Sequence, residues 1–305
     1  MTAARRPVTR FAPSPNGELH LGHALSAMVG YDMARRMGGR FLVRIEDIDV
    51  GRSRETFIEG IRIDLAWLGL DWERPELRQS EHFAVYRAAA RRLEEEGLLY
   101  PCFATRAEIA QATGADPLAR DPDGAPLYPG LHKHLPRDEA ERRKRAGEPF
   151  ALRLDMDRAL LRLAEVTGGE RLVFTEIDEQ GRGRLVAARP ELWGDAVIVR
   201  KDVPASYHLA VVVDDARQGV THVTRGQDLF AATHLHRLLQ VLLGLPEPMY
   251  HHHRLITDDD GRKLAKSLGD TSLRTLREQG VSAAEIRTLA GLDPAGADAS
   301  RRSSR

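Results

Sequence analysis

One cysteine, Cys102, stands alone in a chain of 305 residues, so an internal disulfide is impossible and a reducing compartment suits the protein. Long apolar runs are missing as well. No stretch approaches membrane-spanning length, and the opening Met-Thr-Ala-Ala-Arg-Arg-Pro carries charge without an apolar continuation. Neither a membrane span nor a secretory signal is therefore expected, and the expected location is cytoplasmic, with no membrane partner. Net charge is missing too: 45 basic residues balance 45 acidic ones. The whole molecule thus lacks the electrostatic signature of a nucleic-acid binder, and any such surface has to be local. Arg142-Arg143-Lys144-Arg145 is a candidate, although such a run is ordinarily a solvated helix face. Lysine is scarce, confined to positions 133, 144, 201, 263 and 266. Two of these fall in Lys263-Leu-Ala-Lys266-Ser267, which in an arginine-using chain points to compact ammonium groups at a phosphate.

What is present is an ordinary globular composition, 42% hydrophobic and 30% charged, long enough for two or three subdomains. The most informative stretch is Arg10-Phe-Ala-Pro-Ser-Pro-Asn-Gly-Glu-Leu-His-Leu-Gly-His23. It reads as a buried strand over 7–12 that turns into a helix over 21–37, with Leu21, Leu25, Met28 and Val29 on one face. The N-terminus of a helix offers unpaired N–H groups and a positive dipole end, which together favour an anion. His20 and His23, three apart, share a side of that helix start. Pro13 and Pro15 stiffen the approach, and Gly17 and Gly22 leave room for a nucleotide at the main chain.

A second strand over 40–45 ends in Glu46-Asp47-Ile48-Asp49, and helices follow at about 53–68 and 81–97. That alternation predicts an α/β fold, a Rossmann-like doubly wound parallel sheet with ligand groups at the carboxyl ends of its strands. Turn residues crowd the chain after Tyr100, so residues 101–193 are expected to form an α+β insertion between 7–100 and 194–257, the two halves of the catalytic domain. Strands over 196–200 and 220–225, separated by a helix near 207–218, are expected to rebuild the second half of the sheet, followed by a helix over 228–243. Residues 258–305 complete the chain as a lysine-bearing loop and a short helical remnant.

Taken in order, His20-Leu-Gly-His23 and Lys263-Leu-Ala-Lys266-Ser267 resemble the two signature motifs of class I aminoacyl-tRNA synthetases. Arg10-Phe-Ala-Pro-Ser-Pro, Arg44-Ile-Glu-Asp-Ile-Asp49, Tyr207 to Asp215 and Thr224-Arg-Gly-Gln-Asp228 are similar to blocks of the glutamyl branch. The resemblance runs from about residue 8 to 267. It implies a ligase that uses ATP, with Mg²⁺, to activate L-glutamate as glutamyl-adenylate and then transfers the glutamate to an RNA. It places ATP at His20, Gly22, His23 and Lys266, with His20, His23, Lys263 and Lys266 as the catalytic set. It places L-glutamate against Arg10, Phe11, Ala12, Pro13, Ser14, Glu46, Tyr207 and Arg225. Glu46 would pair with the ammonium, and the two arginines would hold carboxylates. Arg225 would favour glutamate over neutral glutamine. Glu46, Asp47 and Asp49 as Mg²⁺ ligands, or Glu46 and Arg225 as plain ion-pair members, are the competing readings.

Few residues follow Ser267, so no anticodon-binding domain is expected, and the chain resembles the truncated glutamyl-queuosine tRNA(Asp) synthetases. That resemblance implies queuosine-containing tRNA(Asp) as partner, with glutamate placed on the anticodon base. The alternatives are a minimal glutamyl-tRNA synthetase acting on a 3′ end, a small nucleotidylyltransferase, or a non-catalytic paralogue that binds RNA. Relatives carry a zinc site at the positions of Cys102, Ala104, Tyr128 and His132. Here one ligand is lost and one changed, so Cys102, Tyr128 and His132 form an incomplete set unless His134 or water completes it, and no metal is expected there. Cys102 then packs as a small hydrophobe. His251-His252-His253 is read as structural or substrate-facing, without carboxylate or cysteine partners.

Overall fold

A computed structural model of the protein describes residues 6–114, 120–256 and 271–293. The chain begins with β1 (Val8–Phe11), α1 (Leu21–Arg36) and β2 (Arg40–Ile45), and β1 and β2 pair in parallel. Gly38, at φ +60°, ends α1, and Gly39 lets β2 start against β1, because a Cβ there would stand 2.5 Å from the Pro7 carbonyl oxygen. α2 (Glu55–Trp67), β3 (Glu73–Arg78), α3 (Phe83–Glu95) and β4 (Leu99–Cys102) follow. Then come α4 (Arg106–Thr113), α5 (Arg137–Arg145), β5 (Ala151–Leu154), α6 (Met156–Thr167), β6 (Val173–Ile177), β7 (Gly183–Ala187) and β8 (Val197–Val199). α7 (Tyr207–Arg217), β9 (His222–Gly226), α8 (Ala232–Leu242), β10 (Met249–His253), α9 (Leu273–Glu278) and α10 (Ala283–Leu289) complete the order.

The strands form three groups, β1-β2-β3, β7-β6-β10-β9 and β4-β5-β8. The first two abut where β1 lies beside β9, joined by Thr221 N–H donating to the Val8 carbonyl at 3.0 Å. All their neighbouring strands run parallel except the antiparallel β6–β7 hairpin. Along β2, Phe41, Val43 and Ile45 enter one apolar cluster with α1, α2, α9 and α10. Leu42 and Arg44 point to the other face, where Arg44 meets α7. Helices on both faces of a parallel sheet are the doubly wound arrangement expected from the alternating pattern.

Three expectations need correction. β3 is not predicted by the sequence pattern, because Glu-Arg-Pro-Glu-Leu-Arg is polar and exposed at its start, as an edge strand can be. β8, expected in the second half of the main sheet, instead pairs antiparallel with β5. β6 and β7, from within the 101–193 segment, enter the main sheet beside β10. No helix among the described residues is long and apolar enough to cross a membrane.

α10 is tied back to α1 by Arg287, whose Nη2 lies 2.6 Å from Asp32 Oδ2 with the guanidinium 7% exposed. Truncating Arg287 to Ala should strand a half-buried carboxylate and remove the stem packing. The expected cost is about 1–3 kcal/mol, read as a lower urea midpoint; an unaltered midpoint would show that the pair contributes nothing.

Candidate active site

The carboxyl ends of β1, β2 and β9 and the start of α1 surround a cavity of about 650 Å³. Arg10, Phe11, Ala12, Pro13 and Ser14 line it from β1 and the following turn. That turn is pinned by Glu46 N–H donating to the Pro13 carbonyl at 3.0 Å and Arg54 N–H donating to Pro15 at 3.1 Å. Glu46, Tyr207 and Arg225 line it from β2, α7 and β9, and His20, Gly22 and His23 close one side. Residues scattered over more than two hundred sequence positions thus share one cavity. Lys263 and Lys266 lie outside the described residues. Their described flanks are both near: Ile256 lines the cavity, while Ser272 bridges to His20.

The two histidines build the helix start themselves. His20 Nδ1 accepts the Gly22 N–H at 3.1 Å, and His23 Nδ1 accepts the His20 N–H at 3.1 Å. This is a capping box with imidazoles in the usual serine and glutamate places. Each Nδ1 spends its lone pair on the backbone, so the neutral rings carry their protons on Nε2, as donors. Burial first, and then the neighbouring His20, pushes His23 down to about 4. Gly22 leaves room for the His20 ring, since a Cβ there would stand 3.0 Å from its Cε1.

Beneath the cavity runs a chain of buried charges. Arg10 Nε lies 3.0 Å from Asp215 Oδ1, Arg44 Nη1 lies 2.6 Å from the same oxygen, and Arg44 Nη2 lies 3.0 Å from Glu46 Oε1. Arg44 is fully buried, and Arg10 and Asp215 nearly so. Burial alone would raise the Asp215 carboxyl, but Arg10 and Arg44 overcome it and hold the group below its ordinary value. Glu46 moves the other way: burial raises it, and Arg44 and Arg10 pull it back only in part. Asp215 escaped the sequence-based site assignment. Its signal was an acidic pair, Asp214-Asp215, at the end of an otherwise apolar helix.

Arg225 differs from the other two arginines. Its Nε donates to His252 Nε2 at 3.1 Å, its Nη2 to Thr233 Oγ1 at 2.6 Å, and its Nη1 to the Tyr207 hydroxyl at 3.4 Å and His236 Nδ1 at 3.2 Å. Among the described residues no carboxylate lies within ion-pair distance of it, although it is 5% exposed. The histidine run needs correction here. It forms β10, and His252 does have a carboxylate partner, Glu176 Oε2 at 2.8 Å. His253 and Ser26, hydrogen-bonded to each other at 2.8 Å, also line the cavity, as do Asn16 and Asp228.

The carboxylates at the end of β2 do not fit a Mg²⁺ cage. Glu46 is bound to Arg44, Asp47 accepts from Ser80 and Arg78, and Asp49 is paired with Arg52 and Arg200. Cys102, Tyr128 and His132 do come together, but they do not fit a zinc ion. The His132 N–H donates to the Tyr128 hydroxyl at 2.8 Å, and the Arg143 guanidinium lies 3.1 Å from His132 Nε2, putting a cation where a metal would bind. Arg143 also pairs with Glu148 and lies over Phe103. No group of three or more metal-type ligands occurs among the described residues. The charged helix α5 pairs its cations locally, Arg142 with Glu139 and Lys144 with Glu141.

The profile of the class I tRNA synthetase (E and Q) catalytic domain matches residues 7–299. The chain is similar to a glutamyl-Q tRNA(Asp) synthetase of Rhodobacter capsulatus, 47% identical over 291 residues, covering 93% of this chain and 100% of that one. It is also similar to a glutamate–tRNA ligase of Aquifex aeolicus, 40% identical over 89% of this chain and 54% of the other. In three dimensions it superposes on a glutamate tRNA ligase from Elizabethkingia meningosepticum in complex with its amino acid, with TM-score 0.70 and 25% identity. That match covers 94% of this chain and 60% of that structure. The chain thus spans little more than half the length of the two glutamate–tRNA ligases.

His208 and His252, like His23, are pushed down to about 4 chiefly by burial. Above pH 6.5 neither the folded nor the unfolded chain protonates these rings. Between 6.5 and about 4 the unfolded chain takes up protons that the folded one refuses, so stability falls as pH drops through that window. The urea midpoint should be lower at pH 5 than at pH 7, and a flat profile would show that these imidazoles charge readily in the fold.

Proposed function

Since the chain belongs to the class I tRNA synthetases of the glutamate and glutamine type, we propose that its cavity activates L-glutamate with ATP and delivers the glutamyl group to the queuosine base in the anticodon of tRNA(Asp), in the cytoplasm. The observation that carries the first half is Arg225, a buried guanidinium with neutral partners, lining the same cavity as the start of α1. A fixed, uncompensated cation favours a carboxylate side chain over a neutral amide. Identity of 47% along the whole of the R. capsulatus glutamyl-Q tRNA(Asp) synthetase supports the second half.

In this reading Glu46 receives the substrate ammonium, and Arg10 and Arg225 receive its carboxylates. An oxygen of the α-carboxylate attacks the α-phosphorus of ATP, the bond from that phosphorus to the bridging oxygen breaks, and pyrophosphate leaves. The work is positioning and charge stabilisation rather than covalent catalysis. The Nε2–H groups of His20 and His23 and the start of α1 face the phosphates. In this reading Lys263 and Lys266, which belong to the second signature motif, supply further positive charge to the phosphates. Mg²⁺ would enter with ATP and screen the charge of its phosphates. An acceptor nucleophile on the RNA then attacks the glutamyl carbonyl carbon and AMP departs.

Lys266→Ala should reduce glutamate-dependent ATP–pyrophosphate exchange on the order of 100- to 1000-fold, and near-normal exchange would remove Lys266 from the reaction. Arg225→Ala should raise the glutamate KM with little change in the ATP KM; unchanged glutamate saturation would place the carboxylate elsewhere. For the acceptor, labelled glutamate and ATP are supplied with tRNA(Asp) that contains or lacks queuosine. The label should depend on the modified base and survive removal of the RNA 3′ end. Label lost with the 3′ end would establish instead the minimal glutamyl-tRNA synthetase to which 40% identity with the A. aeolicus ligase points.

A further inference from the structure

Arg225 sits on β9 directly beside His252 of β10, its register partner. Its contacts form a cradle with an unusual property: every acceptor in it is uncharged. A buried guanidinium ordinarily finds a carboxylate, as Arg10 and Arg44 do in Asp215. Here each guanidinium nitrogen finds an acceptor while the charge finds no carboxylate. The four contacts also leave the donors of the guanidinium unexhausted.

The cradle works only in one set of tautomers. Arginine can only donate, so His252 Nε2 and His236 Nδ1 must both present lone pairs. For His252, Glu176 enforces this. Its Oε2 takes the Nδ1 proton at 2.8 Å, and its Oε1 accepts the His252 backbone N–H at 2.9 Å. Glu176 stands behind the imidazole and beyond ion-pair distance of Arg225, so it orients the ring without neutralising the guanidinium. For His236, the enforcing partner is His208, whose Nδ1 lies 3.1 Å from His236 Nε2 and accepts its proton. Burial drives the same outcome, pushing His236 well below its ordinary value and His252 to about 4. The design parallels a metal-binding histidine steered by a carboxylate behind it, with a guanidinium in the place of the metal.

We propose that His236 and His252, steered by His208 and Glu176, are positioning residues that fix Arg225 through neutral contacts alone and so keep its charge available to the side-chain carboxylate of the amino-acid substrate. This rests on the glutamate-activating reading of the cavity. Negative charge added to the cradle would compete with the substrate for the same guanidinium. A neutral acceptor of the same shape would not.

The isosteric pair His236→Asp and His236→Asn separates charge from packing, since the Asn carboxamide oxygen reaches the place of the imidazole Nδ1. In ATP–pyrophosphate exchange, His236→Asp is expected to raise the glutamate KM on the order of 10- to 100-fold while the ATP KM stays within about threefold. It should also lower the ratio of glutamate to glutamine kcat/KM. His236→Asn should recover about tenfold or more of the lost glutamate KM. Equal losses in both variants, or equal rises in the KM of ATP and glutamate, would overturn the proposal and make the cradle simple packing. If His236→Asp does not fold, the pair His252→Glu and His252→Gln decides by the same comparison, because the glutamine oxygen reaches the place of Nε2. A wild-type chain without any glutamate-dependent exchange would overturn the reading of the cavity itself, and that result is seen before any variant is made.

Discussion

The site depends on a buried chain of alternating charge, Arg10–Asp215–Arg44–Glu46, that ties β1, β2 and α7 together beneath the cavity. Each ion alone would be costly to bury, and removing one would strand its neighbours without water. The two arginines share one carboxylate, and Arg10 also donates to the Thr224 carbonyl on β9 at 3.1 Å. The junction of β1 with β9, where the two sheet segments abut, is therefore also where the charges are locked. Placement of the cavity at that junction follows the general rule that open parallel sheets bind ligands where the strand order reverses.

Against this compensated chain, Arg225 stands out for the neutrality of its surroundings. Arg10 and Arg225 are buried to a similar degree and line the same cavity, yet Arg10 already meets a carboxylate of the protein, Asp215, whereas the acceptors around Arg225 are all neutral. Histidine makes the difference possible, because a buried neutral imidazole offers a lone pair without a charge. The same device appears at the start of α1, where His20 and His23 cap the helix through Nδ1. Imidazoles thus serve as neutral acceptors toward the protein on both sides of the cavity.

The small node around Cys102 is held by contacts among the protein's own side chains. Tyr128 and His132 are joined by a hydrogen bond, Arg143 takes the remaining imidazole nitrogen, and Phe103 and Glu148 hold Arg143 in place. A guanidinium offers fixed donors and a charge that does not titrate, so it can hold such a cluster together when thiolate ligands are missing.

Local signals were enough for the parts of this protein that rest on local physics. The proline-braced turn from Arg10 to His23, the helix behind it, the buried strands over β1 and β2, and the alternation that predicts a parallel sheet all follow from periodicity and cap chemistry within short windows. The motif resemblance named Arg10, Glu46, Tyr207 and Arg225 because each stands in a recognisable block. Only the tertiary structure decided which charges are spent and which are kept. Asp215 became the partner of two arginines because α7 packs on the Arg44 face of β2, and no local window contains that contact. Polar β3 became a strand because a neighbour's hydrogen bonds outweighed its composition, and β8 left the main sheet because β5 offered it an edge. His236, Glu176 and His252 surround Arg225 through long-range packing and strand register. Burial and partner choice are properties of the assembled sheet, and they set the protonation states on which the site relies.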